Sequence, residues 1–424
     1  MPFPIYRLYN VMKLKSIRNL AVFGIVLVLF FGAGYWFGQN DVKVAWSNLP
    51  KINVVGKNPP KDRTVDMSQM WDVWNMLDRM FIDKDKVDAQ KMVHGAISGM
   101  VAALGDPYTV FLPPVQNKES KEELSGSFEG IGAQLGVKDK RIIVVAPLSG
   151  MPAEAAGIKA GDWIIKVDGK ETSGWSLPEA VSKIRGPKGT TVALNILHKD
   201  GVKPIDVEIV RNTIRVESVN WKAVESTASG SLKKAVYLRL SRFGDETTTE
   251  WDRSVSQINA YLATQSGSLG LVLDLRNNPG GYLKGAVYIA SEFLSDGLVV
   301  TQANSDQTSQ KYEVNKKGNL LKIPLVVLVN GGSASASEIV AGALQARKRA
   351  ILVGEKTFGK GSVQEVVDLS GGAGLHVTVS KWLLPDGRWI NGTGLEVDDK
   401  IEFDEKQPEK DLQLEKAIEI LNKK

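Results

Sequence analysis

The sequence predicts a mixed α/β protein in which a parallel-sheet core follows a small strand-rich module. Three observations carry this. Nearly continuous apolar runs at 269–275 and 323–329, with a third at 350–353, suit buried parallel strands. Helical stretches at about 283–294 and 336–346 separate them, giving strand, helix, strand, helix, strand. Short alternating runs between 126 and 211 read instead as a compact set of strands with one helix. The composition is that of a globular chain: of 424 residues, 43% are hydrophobic and 24% charged, which excludes a mostly disordered or collagen-like polymer. Lys plus Arg outnumber Asp plus Glu by 53 to 48, and part of that excess lies near the N-terminus, so no basic face for nucleic acid is indicated. There is no cysteine, and the histidines are His94, His198 and His376 alone. Disulfides, thiolate metal sites and a cysteine nucleophile are therefore excluded, and the chemistry falls to Ser, Lys, Asp, Glu or backbone groups.

Taken in order, residues 1–19 form a basic segment, with Arg7, Lys13, Lys15 and Arg18 ahead of an uncharged run at 20–37. As a helix that run would span about 27 Å, near the hydrocarbon thickness of a bilayer. It reads as a signal anchor that keeps the basic flank in the cytoplasm, with Tyr35 and Trp36 at headgroup level. The expected location is a single pass of the inner or cytoplasmic membrane, with the folded body on the periplasmic or cell-envelope side. A cleaved signal peptide competes with this reading, but Gly32, Ala33 and Gly34 run straight into Tyr35 and Trp36 without a good cleavage site. Residues 38–64, with Pro50, Pro59 and Pro60, read as a tether. The region 65–120 turns helical: Met70, Trp71, Trp74, Leu77 and Phe81 share one face, and Met92, Val93, Ala96, Ile97, Met100 and Leu104 repeat the pattern before the turn at Gly105, Asp106 and Pro107. The module at 121–212 has expected strands at 132–137, 142–146, 163–167, 192–197 and 207–210, with a helix at 177–184. The core occupies 213–402, and Leu414, Ala417, Ile418 and Leu421 mark a terminal helix within 403–424.

In open parallel sheets ligands gather outside the carboxyl ends of the strands. Three unusual loops fall there, at 277–281, 330–338 and 354–361. A helix of about 12 residues from Ser335 leads roughly 18 Å away from the sheet edge, and a strand of about five residues leads roughly 17 Å back. Residues 356–360 thus return to the level of Ser335. A serine at a helix N-terminus beside free N–H groups, met by a lysine, suits acyl transfer. An ordinary lysine, with a pKa of about 10.4, is less than roughly 0.1% neutral at pH 7, so burial must lower it. Phe358 and Val363 are the expected walls. Lys360, Ser362 and Gln364 share one face of an extended segment, which lets Gln364 reach back to the lysine.

Other readings compete. Ser335 and Glu338 have capping-box spacing. The run from Gly354 to Lys360 resembles a phosphate loop, but Gly361 stands where a Mg²⁺-binding Ser or Thr belongs, and Val363, Val366, Val367 and Leu369 continue as a strand. No serine has the G-x-S-x-G context of a nucleophile elbow. His376, in an alternating run, reads as a strand-surface residue.

Two resemblances sharpen this. F-E-G-I-G at Phe128, Glu129, Gly130, Ile131 and Gly132, followed by P-A-E-A-A-G-I-K-A-G-D-W-I-I-K-V-D-G from Pro152, resembles a PDZ domain. Amides in that turn can hold a terminal carboxylate while the next strand pairs with an extended peptide. Ile131 is expected to line the pocket for the last side chain. With N-G-G-S-A-S-A-S-E, G-E-K-T-F-G-K-G-S-V-Q and D-L-R-N-N-P-G-G in this order, the chain from about Val65 onward resembles the C-terminal processing peptidases, or tail-specific proteases. The resemblance implies a crotonase/ClpP-like α/β protease core with an inserted PDZ domain. It also implies a Ser-Lys endopeptidase that reads free protein C-termini and needs no cofactor or metal. By position, Ser335 matches the nucleophile, Lys360 the general base and Gln364 the residue that orients it. The implied oxyanion hole is the Ala336 amide with that of Gly280 or Gly281. A homo-oligomer or an activating partner stays open. The rival reading is a catalytically idle PDZ adaptor, against which intact Ser335 and Lys360 argue.

Overall fold

The computed structural model describes residues 65–423 apart from 200, 227–232, 266–269, 405–406 and 408–409. The expected membrane span and tether lie outside these residues, and no described helix is long and apolar enough to cross a membrane. The chain divides between Asp88 and Ala89 into two compact units. In the first, helix α1 (Ser68–Met80) follows the predicted apolar period yet has no buried residue. The rings of Trp71 and Trp74 stand 6.2 Å apart on it.

The second unit opens with α2 (Ala89–Ala102), β1 (Val110–Leu112) and α3 (Pro114–Ser125). The sequence reading has no helix at α3, because this stretch lacks an apolar face. Its ends define it: Pro114 fits a first turn, where no N–H is required, and Gly126 closes it in a left-handed conformation at φ 66°.

The PDZ module follows. Strand β2 (Ser127–Gly130) pairs antiparallel with β9 (Asn212–Arg215) and so closes the base of the module. Between them β3 (Ala133–Lys138), β4 (Arg141–Pro147), β5 (Trp163–Val167), β7 (Thr191–Leu197) and β8 (Ile205–Val210) form one sheet in that order, with the short β6 (Lys170–Glu171) beside β5. The one-turn helix α4 (Pro152–Ala155) and α5 (Leu177–Ile184) complete it. Alternation buries Ile142, Val144, Ile164, Val192, Leu194 and Ile196 in a core separate from that of the parallel-sheet region. Strand β3 lies at the edge of its sheet. Entry and exit meet at one point, where the Val216 N–H donates to the Gly126 carbonyl (2.9 Å).

The core is a sheet of β10 (Val219–Ser226), β11 (Lys233–Leu240), β12 (Gly270–Asp274), β15 (Leu325–Val329), β16 (Ile351–Gly354) and β19 (Asp399–Lys400), in that order. All neighbours are parallel except β10 and β11. Every residue of β12 and β15 is buried, as their continuous apolar runs require. One face carries α6 (Thr247–Ala263), α7 (Leu283–Ala290) and α8 (Ala336–Ala346), packed through Trp251, Ile258, Phe293, Ile339 and Val340. The other face is covered by α9 (Leu412–Asn422), where Ala417 and Leu421 meet Val272, Val326 and Val353. A second, antiparallel sheet joins β1, β18 (Gly374–Leu383), β13 (Leu298–Asn304) and β14 (Ser309–Glu313), with β17 (Ser362–Asp368) also on β18.

Candidate active site

The three loops at the carboxyl ends of β12, β15 and β16 come together, and side-chain amides and hydroxyls stitch the first two. Asn330 Oδ1 accepts from the Asn277 N–H (2.8 Å), and Asn330 Nδ2 donates to Asn277 Oδ1 (2.9 Å). Ser333 Oγ donates to the Leu275 carbonyl (2.8 Å). The Asn278 carbonyl accepts from the Ala334 N–H (2.9 Å) and from Ser337 Oγ (2.9 Å). Loop 330–338 is thus held on loop 277–281 before either makes any contact with substrate.

Ser335 precedes α8 at φ 54° and ψ −115°, a backbone conformation that L-residues rarely adopt. Despite lacking the G-x-S-x-G context, the chain holds this half-buried serine on a strained turn at a helix start. Capping-box geometry with Glu338 is present, as the spacing suggested. Glu338, fully buried, does more than cap. Its Oε2 accepts from the Ser335 N–H (2.8 Å) and the Lys360 N–H (2.9 Å). Its Oε1 accepts from Thr357 Oγ1 (2.5 Å) and the Gly359 N–H (2.7 Å). One carboxylate therefore fixes the serine and lysine backbones to each other. The sequence reading saw only a cap here; the unused signal was an acidic residue inside an otherwise apolar helix, which had to find buried donors.

The side chains of Ser335, Lys360 and Gln364 line one cavity of about 1080 Å³, together with Gly280 and Gly281, and its walls include Ile339, Tyr312 and Trp382. Burial pushes the Lys360 ammonium below the usual lysine value, while the negative charges of Asp106 and Glu338 pull the other way without prevailing. The expected wall at Phe358 is absent: this side chain is 54% exposed, and its N–H donates to the Ser333 carbonyl (3.1 Å). Tyr108 supplies an aromatic surface instead, with Lys360 Nζ 5.2 Å from its ring centroid. His376, placed on a strand surface by sequence, is half-buried in β18 and lines the same cavity. Burial first, and then the Lys360 charge, lower its pKa. Gln364 Nε2 donates to Ser362 Oγ (2.8 Å) and Thr378 Oγ1 (3.1 Å), just after a bulge in β17. Both of its amide protons are spent within the strand pair.

Of the two glycine amides considered for the oxyanion hole, that of Gly280 donates to Asn278 Oδ1 (2.9 Å). Gly280 is pressed against the Ser335 turn, since a Cβ there would lie 2.8 Å from Ser335 Cβ and 2.9 Å from the Ala336 nitrogen. At Gly281 the ladder with Phe243 uses the Gly280 carbonyl and the Tyr282 N–H, leaving the Gly281 amide outside that ladder.

In the PDZ module Phe128, Glu129 and Gly130 pair with Ile214, Thr213 and Asn212. The Ile131 and Gly132 carbonyls accept from Ala153 and Leu148 (both 2.8 Å). Ile131 is 4% exposed and belongs to the module's core, so packing against Ile142 and its neighbours claims the side chain expected to line a pocket. The Arg185 guanidinium lies 4.3 Å over the Phe128 ring and pairs with Glu122 at 3.2 Å.

Comparison with known proteins agrees with this layout. Residues 234–401 match peptidase family S41, 119–197 match the PDZ domain, and 29–114 match the N-terminal domain of the activating protease CtpB. The carboxy-terminal processing protease CtpA of Bacillus subtilis is 40% identical over 318 residues, covering 75% of this chain and 66% of that one. A carboxyl-terminal-processing protease of Synechocystis is 33% identical over 411 residues, covering 95% and 94%. An S41 protease of Bacteroides fragilis, at 18% identity and TM-score 0.55 over 87% of this chain and 99% of that one, shares the fold. With its PDZ domain ahead of a mixed α/β protease core, the chain belongs to the carboxy-terminal processing proteases of peptidase family S41 and is a serine peptidase.

Proposed function

We propose that the chain is a membrane-anchored endopeptidase in which Ser335 is the nucleophile and Lys360 the general base, cutting protein substrates at or near their C-termini. The observation that carries this reading is the double grip of Glu338 on the Ser335 and Lys360 amides, with both side chains lining one cavity. Neutral Lys360 takes the proton from Ser335 Oγ as it attacks the scissile carbonyl, then returns it to the leaving amine; water completes hydrolysis of the acyl-enzyme by the same route. The Ala336 amide, at the start of α8, and the Gly281 amide are the donors assigned to the oxyanion; one such donor contributes about 10²- to 10³-fold in rate. Gln364, the residue assigned to orient the lysine, is itself held by Ser362 and Thr378. The PDZ domain holds the substrate's tail, a reading supported by the edge position of β3 beside α5. The apolar run at 20–37 anchors the enzyme with its catalytic part outside the cytoplasm, and the core is assigned to the crotonase/ClpP-like type.

The test is Ser335→Ala. Cleavage of a tail peptide should be abolished with folding retained, since losing a helix cap costs only about 1 kcal/mol. Substantial hydrolysis by this variant rejects the assignment.

A further inference from the structure

We propose that Tyr108 is a positioning residue for Lys360, so that the turn at 105–109, ahead of the PDZ domain in the chain, completes the catalytic site of the core behind it. The proposal rests on the reading of Lys360 as the base. Its first support is placement: Lys360 Nζ lies 5.2 Å from the Tyr108 ring centroid, and Phe358, the nearby aromatic of the lysine's own loop, faces solvent. Its second is rigidity. Thr109 Oγ1 donates to Asp106 Oδ2 (2.6 Å), the Tyr108 N–H to Asp106 Oδ1 (3.2 Å), and the Thr378 N–H to Thr109 Oγ1 (3.1 Å). Strand β1 then pairs Val110 with His376, so the turn is pinned to the strand that also receives Gln364 through Thr378. A ring fixed in this way leaves the amine little freedom and keeps water from one side of it.

The charged and titratable groups around Lys360 are Asp106 and Tyr108 from the turn, Glu338 from α8 and His376 from β18. Asp106 and Glu338 favour the ammonium, and burial favours the amine and prevails. The ring face itself attracts an ammonium, but its loss also opens the amine to water, and burial is the first cause of the lysine's shift. Removing the ring should therefore raise the lysine's pKa, and removing the Asp106 charge should lower it.

The experiment uses the full chain in detergent and compares Tyr108→Phe, Tyr108→Leu, Tyr108→Ala, Asp106→Asn and Lys360→Ala on one tail peptide across pH. A displaced base costs about tenfold to a hundredfold in rate. Tyr108→Leu and Tyr108→Ala should lose that much in kcat with KM within about twofold, and the acid limb of the pH profile should move to higher pH. Tyr108→Phe should retain most of the activity, because the ring and not the hydroxyl faces the amine. Asp106→Asn should move the limb to lower pH. Parent-like kcat and an unmoved limb in both Leu and Ala variants, beside an inactive Lys360→Ala, overturn the proposal alone. Activity retained by Lys360→Ala overturns the underlying reading of the base instead.

Discussion

The Glu338 carboxylate accepts four hydrogen bonds in a site with no access to water, and each ties a different part of the 330–338 and 354–361 loops to it. An amide of the same size must turn its NH₂ toward two of those donors. Glu338→Gln should therefore lower stability by about 1–3 kcal/mol and reduce kcat/KM by roughly 10²-fold as the serine and lysine drift apart, measured by urea unfolding and initial rates. Lys360 is the second residue on which the account depends. Its folded pKa is depressed, so the neutral form that the proposed role requires accumulates as pH rises and does so at lower pH than for a free lysine. Activity should rise with pH through that depressed value. Lys360→Arg should be as inactive as Lys360→Ala over the whole range, since a guanidinium stays protonated.

Among the elements, α9 shows how a terminal helix supports the site from behind. Arg276, at the head of the 277–281 loop, donates to Asp274 (2.7 Å), to both oxygens of Asp411 (2.8 Å each) and to Gln413 (2.9 Å), while Asp411 caps α9 through the Leu414 N–H (3.0 Å). Asp411→Ala breaks the cap and strands part of a mostly buried guanidinium. It should cost about 1–3 kcal/mol, less than a fully buried pair because Asp411 is partly exposed, as chemical denaturation would measure. Elements with strong periodicity were legible in advance: Trp163–Val167, Leu177–Ile184 and Ala336–Ala346 have the expected bounds. Those missing from the reading had weaker signals. Strands β10 and β11 mix lysines with apolar residues, and α6 buries Thr247 and Ser254 alongside Trp251, which blurs the apolar stripe. The site was legible as three loops at one sheet edge, because parallel topology brings strand ends together. The contribution of Tyr108 was not, since it depends on β1 joining β18 across a long separation in sequence, which no local pattern encodes.

At the scale of the whole molecule, the PDZ domain joins the core where Gly126 and Val216 meet, and its sheet keeps β3 as an open edge. If that edge and the 128–132 segment receive a tail, a free carboxylate contributes about 1.5–3 kcal/mol through charged hydrogen bonds. Amidating the C-terminus of a peptide substrate should then slow its cleavage roughly 10- to 150-fold when substrate is scarce, and equal rates for acid and amide across several tails would leave the domain as a scaffold. The central claim, a serine made nucleophilic by a half-buried lysine, is tested most directly by covalent labelling. An alkyl fluorophosphonate incubated with the full chain should add to the peptide containing Ser335, as mapped by mass spectrometry, and Lys360→Ala should abolish the adduct. An adduct on another residue, or undiminished labelling of Ser335 without the lysine, would contradict the account.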